Sequence, residues 1–312
     1  MEIHRNYEKG WYSIMTHEKK LTPVIGRYIN VEIFGEQYEV YFETNEHANP
    51  NGIPIICQHT AGNDGRQFRD LVLDEKLAEE FIVYAVDLPR HGKSDPPLNR
   101  DFWKEDYKLT RKWFVEYTVQ FCKSLNIVNP IYMGGAIGGQ LGVYLAIDHP
   151  NFFRSSIALS PIDISPGFYH EWWDHPQVNG TDAGYAITYG LCGSLTSERQ
   201  KHLNAWYNSQ LAPGVINGDL YFYSVEHDLR DNKLPVIDTN ECPLYMMSGE
   251  FDYTALPDNV KAYSERIPGS RFVEMKGLGH YPMIENYHVF RNFLLPVLNE
   301  IKNKSSKVKA SS

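Results

Sequence analysis

A group of small residues between two apolar segments constrains the fold of this 312-residue chain more than any other feature. Residues 131–135 read Ile-Tyr-Met-Gly-Gly, and residues 140–147 show the apolar pattern of a helix. Gly134 and Gly138 flank Ala136, so the backbone between them can take strained angles and the helix can lie close against the strand. This stretch predicts a strand, a very sharp turn and a helix.

Strand-like and helix-like patterns alternate along most of the chain. Residues 28–34 and 38–42 alternate around a Gly-Glu-Gln turn and predict a hairpin. Apolar runs typical of buried strands lie at 53–58, 81–86, 156–161, 243–247 and 271–275, and helical patterns lie at 66–80, 101–125 and 288–301. We therefore expect an α/β protein with a mostly parallel central sheet covered by helices on both faces.

Composition excludes several classes of function. The net charge is −9, the pI is about 5.7, and no basic stripe suggests binding to nucleic acid or to an anionic membrane. The N-terminus lacks the apolar run of a signal peptide, and no segment approaches the roughly 20 apolar residues of a membrane span. We expect a soluble, cytoplasmic protein, whose oligomeric state the sequence does not determine. Its four cysteines lack the spacing of metal ligands and are expected to be reduced and mostly buried.

Motifs that carry chemistry begin where predicted strands end. This is the edge at which open parallel sheets bind ligands. The motifs are His59-Thr60-Ala61-Gly62, Asp87-Leu88-Pro89-Arg90-His91-Gly92-Lys93-Ser94, Gly249-Glu250-Phe251-Asp252 and Gly277-Leu278-Gly279-His280.

Taken in this order with the glycine-flanked turn, the motifs resemble those of the α/β-hydrolase family over residues 28 to 300. The resemblance is to the capped branch that contains serine esterases, lactonases and C–C hydrolases. It implies that position 136 is the nucleophile position, where a serine is expected and alanine stands. Asp252 would be the acid and His280 the base of a triad, and the N–H groups of Ala61 and Ile137 would form the oxyanion hole. A triad and oxyanion hole of this kind need no metal or organic cofactor.

The resemblance also implies roles for other residues. Some branches take the triad acid from a position like that of Asp163. Thr60 stands where the family more commonly has glycine, and His59 is expected to brace the same loop. The loop at 87–95 is structural in the family, so His91 and Ser94 are not expected to be catalytic.

One further departure from the family pattern and one further expected contact concern the loops of the site. Arg90 replaces the usual first glycine of the loop at 87–95. Glu285 is expected to cap the following helix or to brace the loop that carries His280, which we call the histidine loop.

The regular recurrence of strand-like patterns stops between residues 164 and 241. In the family an insert here is a cap over the active site, so we expect a mainly helical cap at 164–241. The core would be residues 1–163 and 242–302, with a disordered tail at 303–312. Trp172, Trp173 and Trp206 are candidates for substrate contact and equally for the internal packing of the cap.

Alanine at position 136 leaves three functional hypotheses. A serine hydrolase of a carboxylic ester or lactone could be present as a Ser-to-Ala form, and its small-molecule substrate could be a large cyclic ester such as a macrolide. A natural non-enzymatic relative could use the same pocket to bind a ligand. A cofactor-free oxygenase or lyase could work from the His/Asp pair alone.

Overall fold

One sheet of eight strands organises the computed structural model, which describes residues 21–310 and the side chains up to residue 304. The strands are β1 (Val24–Ile33), β2 (Glu36–Asn45), β3 (Ile53–Gln58), β4 (Phe81–Val86), β5 (Ile131–Gly135), β6 (Ser155–Leu159), β7 (Leu244–Gly249) and β8 (Arg271–Met275). Their order in the sheet is β1-β2-β4-β3-β5-β6-β7-β8. β2 pairs antiparallel with β1 and β4, and all other pairings are parallel. The predicted fold class is confirmed.

Helices connect the parallel strands. They are α1 (Arg69–Val72), α2 (Glu75–Ala78), α3 (Arg111–Ser124), α4 (Ile137–Asp148), α5 (Gly180–Leu191), α6 (Glu198–Asn208), α7 (Val215–Tyr221), α8 (Pro257–Glu265), α9 (Pro282–Glu285) and α10 (Tyr287–Ala310). A π-helical turn at Phe222–Glu226 continues α7.

The central strand β5 is buried on both faces of the sheet. Tyr132 packs into one apolar cluster, whereas Ile131 and Met133 pack into the other. Successive side chains of a strand point to opposite faces, so each cluster lies between the sheet and one layer of helices. This double burial explains why the strands read as continuous apolar runs.

The boundaries of several elements differ from the predictions. The hairpin is longer, running from Val24 to Asn45. Residues 66–80 do not form one helix, because Asp74 adopts extended angles and caps a new helix by accepting from Leu77 N–H. In the stretch 101–125 only Arg111–Ser124 is helical beyond a short 3₁₀ turn at Phe102–Lys104.

The C-terminal helix also differs from the prediction. Helix α10 continues to Ala310 instead of ending near residue 301, so the tail expected to be disordered is largely helical. The tail at 303–312 contains no glycine or proline, and its lysines favour helix. The first part of the core predicted at 1–163, residues 1–20, and the end of the tail, residues 311–312, lie outside the described residues.

The segment expected to be a cap lies between β6 and β7 and contains α5, α6 and α7. We call residues 164–241 the insert. Its first residue, Ile164, bridges Asp228 in its later part, and Leu229 N–H donates to the carbonyl of Asp163 at 2.8 Å. The division of the chain into core and cap stays a prediction.

Two expectations from composition bear on the described residues. Within residues 21–310, no helix has the length and apolar character needed to cross a membrane. All four cysteines are buried and free, which confirms the expectation for them.

Candidate active site

Ala136 occupies the sharp turn between β5 and α4. Its φ is 50° and its ψ is −108°, a strained combination for any residue with a side chain. A Cβ on Gly134 would lie 2.5 Å from the carbonyl oxygen of Gly138, and one on Gly138 would lie 2.9 Å from that of Gln58. Both flanking positions therefore require glycine. Strain of this kind costs on the order of 1–3 kcal/mol and concentrates at functional sites.

Asp252 and His280 form a buried hydrogen-bonded pair. Asp252 follows β7 and His280 follows β8, so neighbouring parallel strands bring the two side chains to one edge of the sheet. His280 Nδ1 lies 2.9 Å from Asp252 Oδ2, and the two residues are 4% and 1% exposed. Among the described residues, His280 Nε2 has no hydrogen-bond partner, so it is available to a reacting group.

Thr254 adds a third member to this pair. Its hydroxyl lies 2.9 Å from Asp252 Oδ1 and 2.9 Å from His280 Nδ1. The backbone N–H groups of Thr254 and Ala255 also donate to Asp252 Oδ1, each at 2.9 Å. The carboxylate is thus held in one orientation facing the imidazole.

The electrostatics of the pair favour an ionised aspartate beside a basic histidine. Burial acts to raise the pKa of Asp252, but the charge and hydrogen bond of His280 and the N–H of Ala255 bring that pKa below its usual range. Burial acts to lower the pKa of His280, but the charge and hydrogen bond of Asp252 outweigh it and raise that pKa. A carboxylate that fixes the tautomer and stabilises the imidazolium is the arrangement required for general-base catalysis.

Glu285 braces the histidine loop on both sides of His280. Its carboxylate accepts from Gly279 N–H at 2.7 Å and from Tyr281 N–H at 2.9 Å. The hydroxyl of Thr196, which belongs to the insert, donates to it at 2.9 Å. Burial raises the pKa of Glu285, against the opposing effect of these donors. The bracing role expected for Glu285 agrees with these contacts.

The expected oxyanion donors follow β3 and β5. Among the described residues, neither Ala61 N–H nor Ile137 N–H has an acceptor in the protein, as an oxyanion hole requires. The insert holds the loop in place, because Asn208 Nδ2 donates to the Ala61 carbonyl at 3.2 Å. The backbone N–H and the hydroxyl of Thr60 both donate to Gln67 Oε1. The threonine that stands in place of the commoner glycine is therefore hydrogen-bonded in its buried position.

The other predicted residues lie elsewhere. Asp163 forms an ion pair with Arg266 at 2.5 Å, so it is engaged away from the Asp252–His280 pair. Trp173 is buried in an apolar cluster and stacks on Trp172 with ring centroids 4.0 Å apart. Trp206 is 56% exposed on α6.

The loop at 87–95 has structural contacts. Arg90 adopts a φ of 74°, which explains why glycine is usual at that position. Buried Asp87 accepts the N–H groups of Gly65 and Lys93, each at 2.8 Å. Ser94 donates to the Asp87 carbonyl at 2.8 Å.

The family model described as "alpha/beta hydrolase fold" matches residues 53–287. The chain belongs to the α/β-hydrolase fold family.

Several proteins are similar to this chain at low sequence identity. Lipase 1 of Psychrobacter immobilis is 22% identical over 270 residues, which cover 80% of each chain. A thermophilic esterase of Thermogutta terrifontis superposes with a TM-score of 0.72 at 19% identity, covering 89% of this chain and 99% of that one. An enol-lactonase of Burkholderia xenovorans gives 0.71 at 18% identity, covering 86% and 99%. A probable acyltransferase of Oryza sativa is 29% identical over 181 residues, and the match spans only 40% of its length.

Sequence reasoning missed several residues that shape this α/β-hydrolase site. Thr254 lies two positions after Asp252, where a hydroxyl in a tight turn is an available signal. Asn208 and Asp219 of the insert also contact the loop that carries Ala61. No local pattern marks them, because their partners are far away in sequence.

Proposed function

We propose that this chain has the architecture of a serine-type carboxylic ester hydrolase and that alanine stands at its nucleophile position. The observation that carries the proposal is the buried Asp252–His280 pair, whose Nε2 is unpaired among the described residues. It accompanies a strained turn at Ala136 of the kind that presents a nucleophile. The proteins similar to this chain include a lipase and an esterase.

With serine at position 136, each group would have a defined task. His280 would take the hydroxyl proton as the oxygen attacks the ester carbonyl, and Asp252 would stabilise the imidazolium. The N–H groups of Ala61 and Ile137 would bind the oxyanion. The alkoxide leaves with the proton from His280, and water activated by the same histidine then hydrolyses the acyl-enzyme.

Alanine has no lone pair with which to attack, so the chain as it stands is expected to lack turnover. Loss of the nucleophile from such a triad costs on the order of 10⁶-fold in kcat. We call residues 59–65, the loop that carries Ala61, the oxyanion loop. An insert with several helices beside this loop suits a bulky ester or lactone. We propose a large cyclic ester, such as a macrolide, as the first substrate class to test.

The experiment compares the chain with Ala136→Ser on p-nitrophenyl esters and macrocyclic lactones, followed by absorbance and mass spectrometry. Hydrolysis by the serine form alone supports the proposal. Ala136→Gly is the matched control, since it changes the same buried position without supplying a nucleophile. If neither the chain with Ala136 nor Ala136→Ser hydrolyses any substrate, the proposal is wrong.

Ala136 itself favours a second candidate, a ligand-binding protein that uses the same pocket. A compound that raises the melting temperature equally in both forms and is released unchanged from both would support it. Turnover by the serine form would contradict it.

A further inference from the structure

Asp219 on helix α7 is a fully buried carboxylate that the proposed reaction does not use. Its Oδ2 accepts from Gly62 N–H at 2.8 Å and lies 2.8 Å from His91 Nε2. Its Oδ1 accepts from the hydroxyl of Tyr107 at 3.1 Å. One side chain of the insert therefore joins the loop after β3, the loop after β4 and the segment before α3.

His91 is the ion-pair partner that faces Asp219 in this buried contact. Its Nε2 faces Asp219, and its Nδ1 lies 3.1 Å from the carbonyl oxygen of Pro89. When Asp219 is a carboxylate, both partners are acceptors only, so both ring nitrogens then carry protons and the ring is an imidazolium. Burial acts to lower the pKa of His91, but the charge and hydrogen bond of Asp219 raise it.

The position of Gly62 makes this contact important for the site. Gly62 directly follows Ala61, whose N–H is the expected oxyanion donor. Gly62 has a φ of 63°, and a Cβ there would lie 3.0 Å from both Asn208 Nδ2 and Leu211 Cδ2 of the insert. The loop thus lies directly against the insert, and the hydrogen bond to Asp219 fixes the peptide plane next to the donor.

We propose that Asp219, paired with the His91 imidazolium, is a positioning residue for the oxyanion loop, so that docking of the insert and formation of the oxyanion hole are coupled. The catalytic half of this proposal rests on the proposed ester hydrolase function. The structural half does not, because it concerns only the order of the loop.

The structural half is tested on the chain with Ala136. Hydrogen–deuterium exchange is measured for peptides that cover residues 59–65 in the parent, in Asp219→Ala and in Asn217→Ala. Asn217 is a matched control, because it is a buried polar residue of the same helix whose partners, Asp174 and His170, both belong to the insert. We expect exchange in the loop at least about tenfold faster in Asp219→Ala and unchanged in Asn217→Ala.

The catalytic half is tested in the Ala136→Ser background. Removing an oxyanion donor costs about 10²–10³-fold in kcat, so loosening the loop that carries one should cost on the order of 10–100-fold. KM should stay within about threefold, because the ground-state ester does not depend on this donor. A smaller folded fraction would also lower the apparent kcat at unchanged KM, so kcat is calculated per folded enzyme, with the folded fraction measured by circular dichroism under the assay conditions.

The proposal is overturned if the loop exchanges as slowly in Asp219→Ala as in Asn217→Ala. It is also overturned if Asp219→Ala leaves kcat unchanged in the Ala136→Ser background. If Asp219→Ala does not fold, Asp219→Asn decides the question, because it removes the charge and keeps the volume. If Ala136→Ser hydrolyses no ester, the proposed function fails, and the exchange result alone then decides the role of Asp219.

Discussion

The two buried histidines beside the oxyanion loop should respond to pH with opposite signs. His59 is neutral by geometry, because Nε2 accepts from Leu88 N–H at 3.1 Å and Nδ1 donates to the Thr60 carbonyl at 2.8 Å. Burial, reinforced by repulsion from His91, lowers the pKa of His59 to about 3. His91 has a raised pKa, because Asp219 outweighs the effect of burial.

The magnitude for His59 follows from linkage. With an ordinary pKa of 6.5 in the unfolded chain and about 3 in the folded one, the unfolded state binds the extra proton as the pH falls. Between about pH 7.5 and about pH 5, this proton destabilises the folded protein by roughly 2 kcal/mol. The destabilisation caused by His59→Gln should therefore shrink by about 2 kcal/mol over that range, because glutamine takes up no proton.

His91 should show the reverse dependence. Its raised pKa contributes stability that is fully present below the unfolded pKa of 6.5 and is lost as the pH rises through the folded pKa. The destabilisation caused by His91→Gln should then be largest at low pH and shrink as the pH rises. The titratable groups that face His91 are His59, Asp219, Tyr107 and Asp87.

Urea unfolding of the parent and both variants, followed by circular dichroism at several pH values, measures these differences. Equal m-values are needed for the comparison. If both variants show the same sign of pH dependence, or if the value for His59→Gln is independent of pH, the assignment of charge to this pair is wrong. Imidazole chemical shifts by NMR give an independent check, with His59 neutral and His91 charged near neutral pH.

Three further predictions concern the site and the turn. In the Ala136→Ser background, Asp252→Asn should lower kcat by about 10⁴-fold and shift the acidic limb of kcat/KM to lower pH, because burial then lowers the pKa of His280 without the opposing charge of Asp252. An unchanged pH profile would contradict this. Glu285→Gln should lower the free energy of unfolding by about 1–3 kcal/mol in a urea titration, because an amide leaves a buried N–H without an acceptor; equal stability would refute it. Gly139→Ala should lower the thermal midpoint, because the new Cβ would lie 2.3 Å from the carbonyl oxygen of Leu159 in β6. The resulting overpacking, about 1–3 kcal/mol, outweighs the usual gain of alanine over glycine in a helix. Gly190→Ala is the control and should raise the midpoint, since the nearest atom to its Cβ is 4.0 Å away.

The sequence predicted the sheet and the positions of its loops because those signals are local. The apolar runs at β3 to β8 carry their own evidence of double burial, and the glycines around Ala136 mark the turn. The contact between Asp252 and His280 was implied by the resemblance to the α/β-hydrolase family, and the structure places the two residues after neighbouring strands. Their catalytic roles remain predictions.

Helix boundaries were predicted less well. The stretch at 66–80 has helical spacing, yet Asp74 interrupts it by capping a second helix with its own side chain. Competition between a side chain and the backbone for the same N–H is decided by a small energy difference that periodicity does not register. The tail beyond residue 301 shows the opposite case, where polar composition concealed a continuing helix.

What the sequence determined by itself is the α/β architecture, the strained turn and the chemical identity of position 136. The tertiary structure alone decided how the insert reaches the site. Asp219 and Gly62 are 157 positions apart, and their hydrogen bond is buried together with the ion-pairing contact between Asp219 and His91. A buried charge is tolerated only where its partners converge on it. That convergence depends on the packing of distant elements, so no local pattern could have shown it.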